Sequence, residues 1–315
     1  MARGPQTTQV LVPYRRRRLD SGGAGAAPGP GTAGLPALGP RRAGEILDAG
    51  VRALVTHFGV LMGVALAVML PVELLLQGLW SAGPVNDLSD LVLQGLARTP
   101  PRMLALVFAA AVVGEALRGR RPRWGASLAR SFGRPLGLLG LVLVSLGTQV
   151  LATTGMCCFV VPGLLVFWLF WTLPAAYALE RAGPLQALSR SATLARGSAS
   201  FGRWFGCALV LQLLLLPTVQ LVGAFEEPGV RTGALELFGL SPLAYDLVTA
   251  GLGSLFLALE ATASGAVVAA FYVDLRVRAE GLDLADALEG LEAREAGAGA
   301  GSSAPLPGPP AGRAA

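Results

Sequence analysis

Glu260 sits about midway along the last apolar run of the chain, Leu247 to Val273. An ionisable group there is costly unless it is paired, protonated or hydrated, so such a residue is a site candidate by default. On a helix it shares a face with Gly253, seven residues before it, and Ser264, four residues after it, which makes a small, polar stripe. Gln149, Gln212 and Gln220 lie on other apolar runs and could face it. Two kinds of chemistry fit these residue types. One is a protonated Glu hydrogen-bonded between helices, where polar side chains serve as glue; the other is an intramembrane relay for a proton or an ion. The first needs only the side chains already named and is the simpler. Glu73 and Glu115 lie nearer the ends of their runs, and they read as structural acids that reach water by snorkelling.

Much other chemistry is excluded by composition. All 25 basic residues are arginine and lysine does not occur, which removes a phosphate-loop lysine, Schiff-base catalysis and lysine bases. The one histidine, His57, stands beside Phe58 at the start of the first apolar run and reads as an interface residue, because a ligand or base would need partners that are scarce here. Cys157 and Cys158 are adjacent and Cys207 is remote, so there is no CxxC pair; they read as small apolar packing residues, with palmitoylation or a redox role as the minor alternative. GLGSL at Gly251 misplaces the serine of a Gly-x-Ser motif by one position, and neither HExxH nor paired histidines occur. The sequence therefore predicts no catalytic set, no metal and no cofactor, and an intramembrane enzyme is the least supported reading.

The elements that must position Glu260 follow from hydropathy. The chain is 53% hydrophobic and 14% charged, with a mean hydropathy of +0.58, values unlike those of soluble domains. Residues 1–40 and 293–315, rich in Gly, Ala and Pro, are expected to be disordered tails. The first residues carry charge without a following apolar h-region, so no signal peptide is expected. Residues 41–292 hold six runs near the ~20 residues that cross a hydrocarbon core: Leu54 to Trp80, Pro101 to Leu117, Leu136 to Thr154, Phe159 to Ala178, Phe205 to Phe225 and Leu247 to Val273. Outside the runs, all arginines but Arg98, Arg102 and Arg231 fall on one side. The positive-inside rule then puts both termini in the cytoplasm. Trp80, Trp168, Trp171, Trp204 and Tyr272, near run ends, read as aromatic belts. The clusters Arg15 to Arg18 and Arg118 to Arg123 flank bilayer spans, so anionic headgroups are their expected partners and nucleic acid is not.

Short amphipathic segments precede three of the runs on the arginine-rich side: GEILDAGVRALVTHFG from Gly44, WGASLARSFGRPLG from Trp124 and LQALSRSATLARGSASFGRWFG from Leu185. In the first, Ile46, Leu47, Val51 and Leu54 share a helical face; in the third, Leu185, Leu188 and Leu194 oppose Arg190 and Arg196. Each reads as an interfacial helix feeding a two-span hairpin. The predicted fold is all-α and membrane-integral, with six transmembrane helices and cytoplasmic amphipathic helices arranged as three such repeats. Ala261, Gly265 and Ala269 form a small-xxx-small row on the last run, the pattern of close helix packing. FYVDLRVRAEGLDL, from Phe271, alternates like a strand, but its helical spacing, with Asp274 four residues before Arg278, reads better as a helix leaving the bilayer and ending at Gly281. Asp283 could then cap a short helix carrying Leu284, Leu288 and Leu291.

The stretch from Val160 to Gly197, with Pro162-Gly163, Pro174, Glu180, Gly183, Arg190-Ser191 and Arg196-Gly197, resembles bacterial polytopic proteins related to the membrane domain of glycerophosphoryl diester phosphodiesterases. Glu45 to Asp48, His57-Phe58 and the stretch Tyr272 to Arg278, holding Asp274, Arg276 and Arg278, carry the same resemblance, which covers about Gly44 to Leu284. The middle repeat matches poorly, and Ser264-Gly265 stand where a proline is expected. The resemblance implies a bacterial inner-membrane protein without hydrolytic activity of its own, since in fused enzymes that work belongs to a separate soluble domain. The expected role is that of an envelope scaffold or accessory protein holding anionic lipid. The alternative is a small-solute or ion transporter using Glu260.

Overall fold

The computed structural model describes residues 40–80, 88–197, 200–226 and 228–281; the expected terminal tails, and the segment from Asp283 to Leu291, lie outside the described residues. All regular elements among the described residues are helices: α1 (Ala43–Thr56), α2 (Phe58–Trp80), α3 (Leu88–Leu117), α4 (Trp124–Phe132), α5 (Pro135–Cys158), α6 (Val160–Phe170), α7 (Leu173–Glu180), α8 (Pro184–Gly197), α9 (Phe201–Glu226), α10 (Pro228–Phe238) and α11 (Pro242–Glu280). Among the described residues six stretches are long and apolar enough to cross a membrane: Phe58–Gly78, Gly95–Leu117, Pro135–Cys158, Val160–Glu180, Phe201–Thr218 and Pro242–Glu280. The chain is thus a multi-pass membrane protein built from helices, the form in which backbone groups pair internally where water is absent.

The apolar stretches divide into central and peripheral ones. Of the most apolar window, 78% is buried in α3 and 67% in α11, against 22% in α5 and 17% in α9. α11 is the axis, packing on α3, α2, α1 and α9. Its length of about 58 Å at 1.5 Å per residue exceeds a ~30 Å hydrocarbon core. Side chains such as Leu139, Leu143, Leu213 and Leu214 point outward from α5 and α9. Close approach of α3 and α11 comes from small residues: a Cβ at Gly265 would stand 2.7 Å from the Ala109 Cβ and 3.1 Å from the Leu106 carbonyl oxygen, and Ala261 and Ala269 are fully buried.

Several elements differ from what the sequence predicts. The second span starts earlier, because α3 keeps Pro100 and Pro101 inside the helix rather than beginning at Pro101. Each proline deletes one backbone donor, yet the helix continues through them. Arg98 and Arg102 therefore stand within the span and not in a loop. The fourth span is two helices, α6 and α7, broken at Trp171-Thr172 just before Pro174. In α1 the buried face is Ile46, Ala49, Gly50, Ala53 and Leu54, while Val51 is exposed. α1 also runs lengthwise against α11, for the Arg41 amide donates to Asp274 and Gly50 lies against Val267. In α8, Leu185 is exposed and the buried residues are Ala187, Ser191, Leu194 and Ala195. Trp204 and Tyr272 are core residues rather than belt residues: Trp204 is 1% exposed, edge-on to Phe167 and Trp171 and tilted against Phe201 and Phe205. Of the cysteines only Cys207 is packed; Cys157 and Cys158 are exposed.

Candidate functional site

The six spans alternate in direction, so the ends of α3, α7 and α11 meet the starts of α2, α5 and α9 at one pole. Arg118 to Arg123, Arg134, Arg181, Arg190, Arg203, Arg276 and Arg278 gather there; it is called the basic pole below. Two ion clusters tie it together. On one side of α11, Tyr272, Arg276 and Glu280 follow each other at four-residue intervals and face α7 and α8. Arg190 donates from Nε to both oxygens of Glu180 at 3.0 Å and from Nη2 to Glu280. The Tyr272 hydroxyl donates to Glu180, and Arg276 donates to Glu280 at 2.8 Å. Burial acts to lower the Arg190 pKa, but the hydrogen bonds and charges of Glu180 and Glu280 outweigh it and hold it above the usual arginine value.

On the other side, Asp274 is fully buried and accepts from the Arg41 amide at 2.7 Å, from Arg278 Nε at 3.0 Å and from Arg203. Arg278 also reaches the Arg41 carbonyl at 2.7 Å. Ser191 shares a 2.7 Å hydrogen bond with Thr172 and donates to the Leu169 carbonyl, stapling α8 to the α6–α7 break. Of the positions marked by the family resemblance, Glu180, Arg190, Ser191, Asp274, Arg276 and Arg278 are thus brought into contact networks, while Arg196 is exposed in the last turn of α8. Every acid in these networks is bound to arginine, which makes them ties between helices rather than reactive groups.

The opposite pole holds different pairs. Arg98 grips Glu73 with two parallel bonds, Nε to Oε1 at 2.8 Å and Nη2 to Oε2 at 3.0 Å. Glu73 is 5% exposed, so it is a buried, paired acid rather than a snorkelling one. Arg231 pairs with Asp246 at 3.0 Å. Glu260 meets Arg102 by one bond only, Nη2 to Oε1 at 2.5 Å, and the same oxygen accepts from Ser264 at 3.1 Å. Arg102 Nε is buried and has no partner among the described residues. A charged buried donor left in that state costs about 1–3 kcal/mol or more, which the bidentate Arg98 pair avoids. The Arg102 side chain is 43% exposed, against 15% for Glu260.

Both residues line a cavity of about 310 Å³ between α3, α5, α6, α7, α9 and α11, which includes Gln149 and Gln212 in its wall. Gln149 makes only a long 3.5 Å contact with Thr99. The expected group of Glu260, Ser264, Gln149 and Gln212 is therefore assembled, around a space instead of around one another. Gln220 and Gly253 are not part of the wall. No family model, curated protein or solved structure matches the chain, so the site is read from its geometry alone.

Helix register orders the wall. Thr99 and Arg102 on α3, Gln149 on α5 and Glu260 on α11 lie toward the pole away from the arginine clusters. Leu106, Phe170, Trp171, Leu173 and Val268 lie toward the basic pole. From Glu260 to Val268 is eight residues, about 12 Å along the helix. The site thus has a polar end with one cation and one anion, and an apolar end with aromatic walls. Arg102 is the site residue the sequence reading missed. A signal was present: an arginine directly against the apolar run from Met103, with an unmatched carboxylate on another run, asks to be paired.

Proposed function

We propose that this chain is a bacterial inner-membrane protein that binds, and moves, a small solute through a site between its helices, with Arg102 and Glu260 as the polar centre. The observation that carries this reading is that the Arg102–Glu260 pair lies in the wall of a cavity of about 310 Å³, with Gln149 and Gln212 set around that space instead of closing on Glu260. That volume matches the lower end of small-molecule sites, which are mostly apolar with a few convergent polar groups. An ion pair held by one bond, with a buried donor unused, can change partners at little cost; a structural pair closed like Arg98–Glu73 cannot. Supporting the membrane setting, the outward faces of α5 and α9 are apolar. The likeness to membrane domains of phosphodiesterase relatives fits a non-enzymatic role and supplies no solute.

Two measurements test this. In a background with Cys157, Cys158 and Cys207 replaced, Thr148→Cys and Gln212→Cys should react with a small sulfonate-bearing methanethiosulfonate in vesicles, and Leu139→Cys, on the outward face of α5, should not. Reconstituted protein should also carry a proton flux that Glu260→Gln abolishes. Unreactive cavity cysteines together with absent flux would return the chain to the scaffold reading, in which the arginine-rich pole holding anionic lipid is the working surface.

A further inference from the structure

We propose that the cavity takes a small amphipathic monocarboxylate, its head on Arg102 in the place now held by Glu260, and that the displaced Glu260 takes up one proton from water. The inference rests on the solute-site reading above and names its ligand class.

The head is decided by the exposed charge. Arg102 lines the cavity, is the more exposed of the two side chains and has one donor engaged, whereas Glu260 is mostly covered and already accepts twice on one oxygen. A ligand entering the cavity therefore meets N–H donors, and the planar fork of arginine matches a carboxylate in two-bond geometry. Glu260 holds Arg102 through a single bond, so a carboxylate able to form two displaces it; reorientation of the guanidinium also gives the buried Nε a way to find a partner.

Charge number is fixed by what surrounds the pair. Among the described residues lining the cavity only Arg102 and Glu260 ionise. Of the elements packed on α11, α3 brings Arg102, α2 brings Glu73 already closed by Arg98, and α9 brings Gln212, its Arg203 being held by Asp274. The other elements bring charges paired elsewhere: Asp48 with Arg52 on α1, Glu180 on α7 with Arg190 on α8, and Arg231 on α10 with Asp246. No second cation among the described residues lines the wall to balance a dianion, which disfavours phosphate esters. Once the ligand occupies Arg102, the Glu260 carboxylate, whose side chain is only 15% exposed, has lost its cation, and uptake of a proton restores neutrality. The complex of Arg102, ligand and protonated Glu260 is then neutral, as the empty site is.

Body and size come from the other end. Leu106, Phe170, Trp171 and Val268 offer apolar and aromatic walls, and 310 Å³ holds the volume of about ten waters, room for an aryl or short alkyl body and too small for a two-chain lipid.

Calorimetry on the full chain in nanodiscs decides the matter. 3-Phenylpropionate and hexanoate should bind, while acetate (head without body), 3-phenylpropanol (body without head) and hexylamine (reversed charge) should bind at least tenfold more weakly or not at all. Repeating the titration in buffers of different ionisation enthalpy should show uptake of close to one proton, so that affinity falls by up to tenfold per pH unit as pH rises. Arg102→Gln should lose at least tenfold in affinity and Arg102→Lys, which keeps the cation, less than that. Glu260→Gln should still bind, but with no proton taken up. Equal binding of the amine or the alcohol, binding unchanged in Arg102→Gln, or wild-type binding without a proton would overturn the proposal. Reactive cavity cysteines with no carboxylate bound would overturn this ligand class alone and leave the solute site standing; unreactive cavity cysteines together with absent flux would sink both.

Discussion

The two acid–arginine pairs away from the basic pole show how one chemistry gives two outcomes. Glu73 and Arg98 close each other with two bonds in a buried place, so removal of one partner leaves an uncompensated charge. We expect Arg98→Leu to cost about 3–5 kcal/mol, the range for breaking a buried pair, and the double replacement Glu73→Leu with Arg98→Leu to recover most of it. Thermal unfolding in detergent measures both; an unaltered midpoint in Arg98→Leu would count against a structural role. His57 adds a pH dependence. Burial beside Trp124, 5.2 Å away ring to ring, lowers its pKa below the ordinary 6.5. Between the folded and unfolded values the unfolded chain binds more protons, so the contribution of a neutral His57 is complete above about 6.5 and is lost as pH falls through the lower, folded value. The midpoint should drop on acidification from neutral pH, and His57→Gln should remove that part of the drop; parallel curves for the two proteins would exclude it.

At the scale of elements, the end of α11 explains why a helix looked like a strand. Asp274, Arg276 and Arg278 alternate with apolar residues because two helical faces each carry charge: Tyr272, Arg276 and Glu280 toward α7 and α8, Asp274 and Arg278 toward α1 and α9. The helix then stops at Gly281, whose φ of 63° is the left-handed conformation a terminating glycine accepts. Hydropathy made the six spans and this helix end legible in the sequence, since burying backbone in lipid leaves little choice but helix. It did not reveal Arg102 or the break at Trp171-Thr172, because a Pro-Pro pair reads as a helix start and a continuous apolar run hides a kink. The close contact of α3 and α11 offers its own check. Gly265→Ala should destabilise by about 1–3 kcal/mol through overpacking, while Gly63→Ala on α2, where a Cβ meets nothing within 4 Å, should be neutral or slightly stabilising. Equal midpoints for the two variants would mean that the helices separate freely.

Across the whole molecule charge is divided between the poles. Among the described residues the pole away from the clusters has Arg98, Arg102 and Arg231, and each faces a carboxylate: Glu73, Glu260 and Asp246. The arginines of the basic pole outnumber its acids, and the sequence as a whole carries a formal charge of +5. During insertion, arginines in short loops resist translocation, and on that ground we expect the basic pole to face the cytoplasm. A phosphatase fused in α10, near Arg231, should then be active and a fluorescent protein at the C-terminus should fold and emit; the reverse pattern would invert the orientation and place the polar end of the cavity on the cytoplasmic side. The same asymmetry should attract anionic headgroups to one leaflet with a strength that salt reduces, because surface attraction falls within a Debye length of ~8–10 Å. Nanodiscs containing phosphatidylglycerol should raise the unfolding midpoint above that in phosphatidylcholine alone, and added salt should narrow the gap. A midpoint indifferent to lipid charge would show that the excess arginines serve insertion only, and would favour the proposed site at Arg102 and Glu260 over a lipid-binding surface.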